Sequence, residues 1–307
     1  MINYKCRQAI HTKIVLEYCE DIGFAVPEPF EHYKTLNDED SIGFYTITNL
    51  LKFIESNSDN RHFFIDLIPY FERRLIQFIK EHVDLDQTPA QNLLNFVNYY
   101  NHVSDLNWGT QESEDNLCLD AQRNPRQYAS QYDDLFLYFC ATNLFRSSFG
   151  EKNNVNIKLP FERAFYGKNI DLFDSVEFDN QSMKVCVTKN EMDYDQLEPL
   201  NMQELKFSDR VRAAANNIPP QNLNLTSLSN TIGMTPRTLQ RSLKQENTSP
   251  NKIINNIKVN LIKNSLQKHQ GNIKRSAYEC GFDNLSTFSR FFSKSTGMTP
   301  RQFTHRI

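Results

Sequence analysis

No C-x-x-C pair occurs among the six cysteines of this 307-residue chain, which lie scattered at Cys6, Cys19, Cys118, Cys140, Cys186 and Cys280. That spacing suggests neither a zinc cage nor a disulfide framework, so the expectation is small buried hydrophobes. The seven histidines form no H-x-x-x-H or H-E-x-x-H pair that would place two imidazoles on one helix face, and no metal or other cofactor is expected. The G-x-x-x-x-G-K-[ST], G-x-S-x-G and G-x-G-x-x-G patterns are also missing, which removes the usual anchors of nucleotide and hydrolase chemistry. No stretch reaches the roughly 18 apolar residues of a membrane helix. The N-terminus lacks the basic segment, apolar run and cleavage site of a secretory signal. These absences favour a cytoplasmic protein that is neither membrane-bound nor an enzyme.

What is present is an uneven distribution of charge. The net charge of -3 resolves into -15 over residues 1–205 and +12 over residues 206–307. A chain of this length usually divides into two domains, and the division is expected at 1–200 and 201–307. A basic segment of about a hundred residues either presents a solvated cationic face or meets a polyanion. The pattern of residues decides between these.

In the basic segment Leu225, Leu228 and Ile232 form one apolar stripe of a short helix, with Asn224 placed to cap it. Gly233 ends that helix, Thr235 caps another, and Pro236 occupies its first position, where no amide hydrogen is needed. On this second helix Leu239 and Leu243 fall on one side, and Arg237, Gln240, Arg241 and Lys244 fall on the other. Helix, glycine turn and helix with a basic outer face make a helix-turn-helix over about residues 224–246.

The plan recurs over about residues 272–296. Asn272 caps, Gly281 ends the first helix, Phe282 fills the turn and Asp283 or Asn284 caps the second. On the second helix Leu285, Phe288 and Phe292 are expected to point inward, opposite Ser286, Thr287, Arg290 and Lys294. The pentapeptide GMTPR occurs at Gly233–Arg237 and again at Gly297–Arg301, but its offset does not match that of the two motifs. It repeats a glycine stop, threonine cap and proline start, and its second copy opens a short closing helix. Between the motifs, Ser249-Pro250 starts a segment of 19 residues, which as a helix spans about 28 Å. One turn of DNA is about 34 Å, so such a helix would hold two reading helices in successive major grooves.

Residues 206–307 resemble the DNA-binding domain of the AraC/XylS family of bacterial transcription regulators. The resemblance rests on GMTPRTLQRSLKQENTSP, on AYECGFDNLSTFSRFFSKSTGMTPRQF and on the linking helix. Departures are Ser229 in place of a small alanine, Ser276 in place of an isoleucine and Ile262 in place of an alanine. A buried hydroxyl at Ser276 weakens packing unless it finds a backbone carbonyl. The types on the outer faces suit groove chemistry: Arg grips guanine, Gln grips adenine and Thr meets a thymine methyl. Lys244 and Lys294, farther along their helices, are expected on phosphates.

Residues 1–205 show helical periodicity in KIVLEYCEDIG, SIGFYTITNLLKFIES, RHFFIDLIPYFERRLIQFIKEHVD and TPAQNLLNFVNYYNHV. After Trp108, NLCLD, NVNIKLPF and SMKVCVTK read as strands and YDDLFLYFCATNLFRSSFG as an apolar helix. The expected fold class is mainly α, with an α+β N-terminal regulatory domain and an all-α C-terminal domain of two helix-turn-helix units joined by a linker helix. Residues 90–200 are also similar, less closely, to the arabinose-binding-type N-terminal domain of some family members. That likeness implies a small-molecule effector pocket, a homodimer surface, or both. No residue declares the ligand; Arg146 reads as a surface cation or an internal ion-pair partner sooner than as a carboxylate partner.

The family resemblance implies a sequence-specific transcription regulator, an activator, with double-stranded promoter or operator DNA and RNA polymerase as partners. The alternative is an enzyme such as a DNA-repair alkyl-transfer protein carrying the same module, which requires a reactive cysteine in a conspicuous motif beside a zinc cluster. Neither occurs. A fragment without residues 1–200 is expected to be soluble, folded and able to bind DNA in a salt-sensitive way.

Overall fold

A two-stranded antiparallel ladder opens the chain, β1 (Cys6–Gln8) against β2 (Ser41–Gly43), with Cys6 opposite Gly43. Between them run α1 (Ile10–Asp21) and the single turn α2 (Glu28–Glu31). The computed structural model describes residues 4–60, 62–105, 108–121, 131–148, 155–189 and 205–306. Helix α1 buries Ile10, Ile14, Val15, Leu16, Tyr18 and Cys19 together with His11 and Thr12, and turns Lys13, Glu17, Glu20 and Asp21 outward as its polar face. The stretch SIGFYTITNLLKFIES, expected as one helix, is split. Ser41–Gly43 is drawn into the ladder, and α3 (Thr46–Asn57) starts only after it.

Helices α4 (Phe63–His82) and α5 (Pro89–Val103) follow where periodicity places them. The start of α5 is written locally, since Thr88 Oγ1 accepts the Gln91 amide hydrogen and Pro89 takes the first position. Then come β3 (Trp108–Glu112), β4 (Asn116–Ala121), α6 (Gln131–Ser148), β5 (Val155–Lys158), β6 (Val176–Glu177) and β7 (Met183–Thr188). The sheet order is β3-β4-β7-β5-β6, antiparallel throughout except for the parallel pair β5 and β6. Helix α5 packs on this sheet, Phe96 stacking on Trp108 with ring centres 5.2 Å apart. Helices α4 and α6 meet through aromatic rings, among them Phe64 with Tyr132 and Phe71 with Phe136.

The cysteine expectation needs correction here. Cys118 and Cys186 are directly opposed on β4 and β7 and are joined by a disulfide. Strand pairing brings together residues 68 positions apart, which spacing along the chain does not reveal.

The remaining elements are α7 (Phe207–Asn216), α8 (Leu225–Ile232), α9 (Pro236–Gln245), α10 (Pro250–Lys268), α11 (Ile273–Glu279), α12 (Leu285–Thr296) and α13 (Pro300–Thr304). All but α7 are where capping and periodicity predict them.

The chain folds as two compact units, and their boundary differs from the expected one. The first comprises Met1–Thr46 together with Leu205–Ile307, and the second comprises Ile47–Glu204. Polar bonds join the two stretches of the first unit. Asn217 Oδ1 accepts the Gly43 amide hydrogen at 2.8 Å, Asn216 Nδ2 donates to Ser41 O at 2.8 Å, and Asn264 Nδ2 donates to Thr35 O at 2.9 Å. Arg210 Nη1 donates to Tyr4 O, and His32 Nε2 to Asn216 O. Residues 201–307 are therefore not the whole of their unit. A fragment without residues 1–200 would leave α7 and α10 without the hydrogen-bond partners that the first 46 residues supply.

Candidate nucleic-acid interface

Each helix of the paired motif begins on a side-chain cap. Asn224 Oδ1 accepts from Ser227 N, Thr235 Oγ1 from Thr238 N, Ser249 Oγ from Lys252 N, Asn272 Oδ1 from Arg275 N and Asn284 Oδ1 from Thr287 N. Of the two caps expected before α12, Asn284 is the one used. Gly233 closes α8 at φ 73°, a left-handed conformation that costs glycine least. Gly281 sits at φ 74°, and a Cβ there would lie 2.5 Å from Gln221 Cα. Glycine is thus required twice over at that turn, by conformation and by space.

These caps fix the phase of α9 and α12, the second helix of each motif. Leu239 and Leu243 of α9 and Phe288 and Phe292 of α12 are fully buried. Phe282 fills the second turn as expected, its ring centre 5.3 Å from that of Phe288. Arg237, Gln240, Arg241 and Lys244 on α9 are exposed, as are Ser286, Thr287, Arg290 and Lys294 on α12. The structure thus leaves all eight predicted residues open to solvent on the second helices of the two motifs. Helix α10 packs against both motifs, touching α8 and α9 on one side and α11 and α12 on the other. Its 19 residues span about 28 Å.

Leu285 departs from expectation. It shares the stripe of Phe292, yet 44 % of it is exposed, because it is the first residue of α12 and the stripe outruns the core there. Arg146 lies on α6, and its side chain is outside the described residues.

Sequence reasoning missed two carboxylates that hold the scaffold. Glu279, at the end of α11, accepts from Ser265 Oγ, from Lys268 Nζ at 2.9 Å, and pairs with His269 Nε2 at 3.0 Å. Burial raises its pKa, but the bonds from Ser265 and Lys268 and the nearby charges of Lys268 and His269 outweigh that and hold it below the ordinary carboxylate value. Glu246, just past α9, accepts the amide hydrogens of Phe207 and Ser208 at 3.0 and 2.9 Å. Here too burial acts upward, and the bonds from Ser208 and Phe207 with the charge of Lys206 prevail. A signal was available. Residues 206–307 carry only four carboxylates against 16 cations, so each one retained there invites a structural explanation.

The hydroxyls singled out in the positioning helices are both buried. Neither Ser229 Oγ nor Ser276 Oγ has a hydrogen-bond partner. Among the described residues no group of three or more His, Cys, Asp or Glu could hold a metal, and no helix is long and apolar enough to cross a membrane.

A family described as "Helix-turn-helix domain" matches residues 228–306. Over 107 residues the chain is 27 % identical to the HTH-type transcriptional regulator GadX of Escherichia coli (strain K12), which covers 35 % of this chain and 39 % of that protein. Over 80 residues it is 31 % identical to the HTH-type transcriptional regulator AdiY of the same strain, covering 26 % and 32 % respectively. The chain thus spans about two fifths of the length of the first curated relatives it matches. Among solved structures it is similar to a DNA-binding transcriptional dual regulator from Escherichia coli K-12, with a TM-score of 0.29 and 27 % identity over 32 % of this chain and 93 % of that one. It is also similar to the transcriptional regulator CdpR from Pseudomonas aeruginosa, with a TM-score of 0.32 and 14 % identity over 96 % and 98 %.

Two capped helix-turn-helix motifs, matched by that family and by the corresponding segments of GadX and AdiY, define a DNA-binding domain of transcription regulators. More narrowly, the C-terminal domain is a helix-turn-helix domain of the AraC type. The family match begins at residue 228 and does not reach the arabinose-binding-type likeness of residues 90–200.

Proposed function

We propose that the protein is a cytoplasmic, sequence-specific transcription activator without enzymatic activity, whose two reading helices occupy successive major grooves on one face of promoter DNA. The observation that carries this is the set of eight exposed polar side chains on α9 and α12, with one continuous helix bracing both motifs. Arg237, Gln240 and Arg241 meet base edges in one groove, and Ser286, Thr287 and Arg290 in the next. Lys244 and Lys294 hold phosphates. RNA polymerase is the partner through which binding becomes activation.

The unit Ile47–Glu204 supplies control, through a small-molecule effector, a homodimer contact, or both. The crevice between α4 and α6, lined by Phe64, Ile68, Phe71, Phe136 and Phe139, has a volume of only about 10 Å³ and does not identify an effector. The reading is tested by selection of binding sites from random-sequence DNA with the full-length protein. A bipartite site with two elements one helical turn apart supports it. Recovery of a single short element, or of no enriched sequence, would falsify it.

A further inference from the structure

Four of the six cysteines, Cys6, Cys19, Cys140 and Cys280, are buried and take part in no disulfide. Burial pushes Cys19 up to about 11 and Cys280 up to about 12, and raises Cys140 further still. A thiol held protonated in apolar surroundings is inert. Cys118 and Cys186 stand in a different setting. They face each other on adjacent strands of the five-stranded sheet. One face of β4 and β7 is apolar and buried, made by Leu117, Leu119, Met183, Val185 and Val187. The cysteines belong to the other face. Their neighbours along the ladder there are the cross-strand pairs Asn116 with Thr188 and Asp120 with Lys184. Gln111 of β3 opposes Cys118 from one side, and Asn156 of β5 opposes Cys186 from the other. Every cross-strand neighbour of the pair on its own face is polar; Cys118 is half-buried and open to a small reactant, while Cys186 beside it is buried.

We propose that Cys118 and Cys186 form a reversible dithiol–disulfide site that is oxidised by hydroperoxides and reduced by small thiols. The Cys118 thiolate attacks the peroxide oxygen. A sulfur–oxygen bond forms, the oxygen–oxygen bond breaks, and the leaving oxygen takes a proton to depart as water or an alcohol. The Cys186 thiolate then attacks the sulfenic sulfur of Cys118. The disulfide bond forms, the sulfur–oxygen bond breaks, and hydroxide leaves as water after taking a proton. Two electrons have passed from the two sulfurs to the peroxide. Two equivalents of a thiol return the pair to its reduced form through a mixed disulfide and emerge joined as their own disulfide. The bond ties positions 68 residues apart, all within the unit Ile47–Glu204, and its closure restricts the unfolded chain of that unit.

The test uses the full-length protein, reduced with dithiothreitol, desalted and then titrated with hydrogen peroxide. Remaining thiols are alkylated after unfolding, and the peptides are identified by mass. The expected result is joint loss of labelling at Cys118 and Cys186 with an equimolar amount of peroxide, a cross-linked peptide containing both, and full labelling of the other four. Dithiothreitol then restores both thiols without unfolding. In Cys186→Ser, dimedone should trap a sulfenic acid on Cys118. Three results would overturn the proposal: a pair that resists dithiothreitol in the folded protein, a pair that stays reduced in a tenfold excess of peroxide, or a cross-link to another cysteine.

Discussion

Asn217, at the end of α7, accepts the amide hydrogen of Gly43 at 2.8 Å across 174 positions of sequence, and its Nδ2 donates to the hydroxyl of Tyr4 at 2.9 Å. One side chain thus secures both ends of the N-terminal stretch against the basic module. The space between them is close: a Cβ on Gly43 would lie 2.2 Å from Asn217 Nδ2. Asn217→Ala leaves the Gly43 amide without its partner and should lower stability by about 1 to 3 kcal/mol, measured by urea unfolding. Joining residues 1–46 to 205–307 through a flexible linker should give a soluble, folded protein. Residues 205–307 alone should aggregate or unfold at lower denaturant. Equal stability of the two fragments would contradict the unit boundary.

The carboxylate of Glu279 should matter for the second motif and not for the first. Glu279→Ala removes the shared acceptor of Ser265, Lys268 and His269 at the junction of α10 and α11. The group is partly solvated, so the stability cost should be only about 1 kcal/mol. Its sharper consequence is on DNA, where protection of the element read by α12 should weaken while that read by α9 persists.

The buried hydroxyls provide a gain-of-stability prediction. Ser276→Ala removes an oxygen that has no hydrogen-bond partner and leaves almost no void, so stability should rise by about 1 kcal/mol. Ser229→Ala should do the same. Thermal melts of the single variants and the double decide this, and a loss of stability would mean that the hydroxyls are bonded.

Acid should weaken the N-terminal part of the first unit. Burial, aided by Arg7, holds the His11 imidazole down at about 3 against an ordinary 6.5, and burial also lowers His32. The unfolded chain gains protons as pH falls through about 6.5, and the folded chain does not. Stability is therefore complete above that value and declines as pH falls toward 3. Glu279 and Glu246, both held below 4.5, add losses in the same direction only below that value. Urea midpoints between pH 7.5 and 5 should fall for the native chain, and the slope should be shallower in His11→Gln.

The paired motif was legible because its determinants are local. Asn224, Thr235, Ser249, Asn272 and Asn284 sit one position before the helices they cap, and Gly233 and Gly281 sit at the turns. The ladder between Cys6–Gln8 and Ser41–Gly43 was not legible, because strands of three residues carry no usable alternation and their pairing depends on α7. Helix α7 itself, FSDRVRAAAN, buries three alanines with Ser208, Val211 and Asn216 and lacks the bulky stripe that marks the others. Leu285 misled because helical phase reports direction and not how far the core extends. The pairing of Cys118 with Cys186 required the register of β4 on β7, which neither strand specifies alone.

The most direct measurement is hydroxyl-radical footprinting of the full-length protein on its selected site, comparing the native chain with Arg241→Ala and Arg290→Ala. Each variant should lose about 1 to 3 kcal/mol of affinity. Two protected patches should appear on one face of the duplex, about one helical turn apart, with Arg241→Ala weakening one and Arg290→Ala the other. A single patch, or equal weakening of all contacts by both variants, would contradict this arrangement.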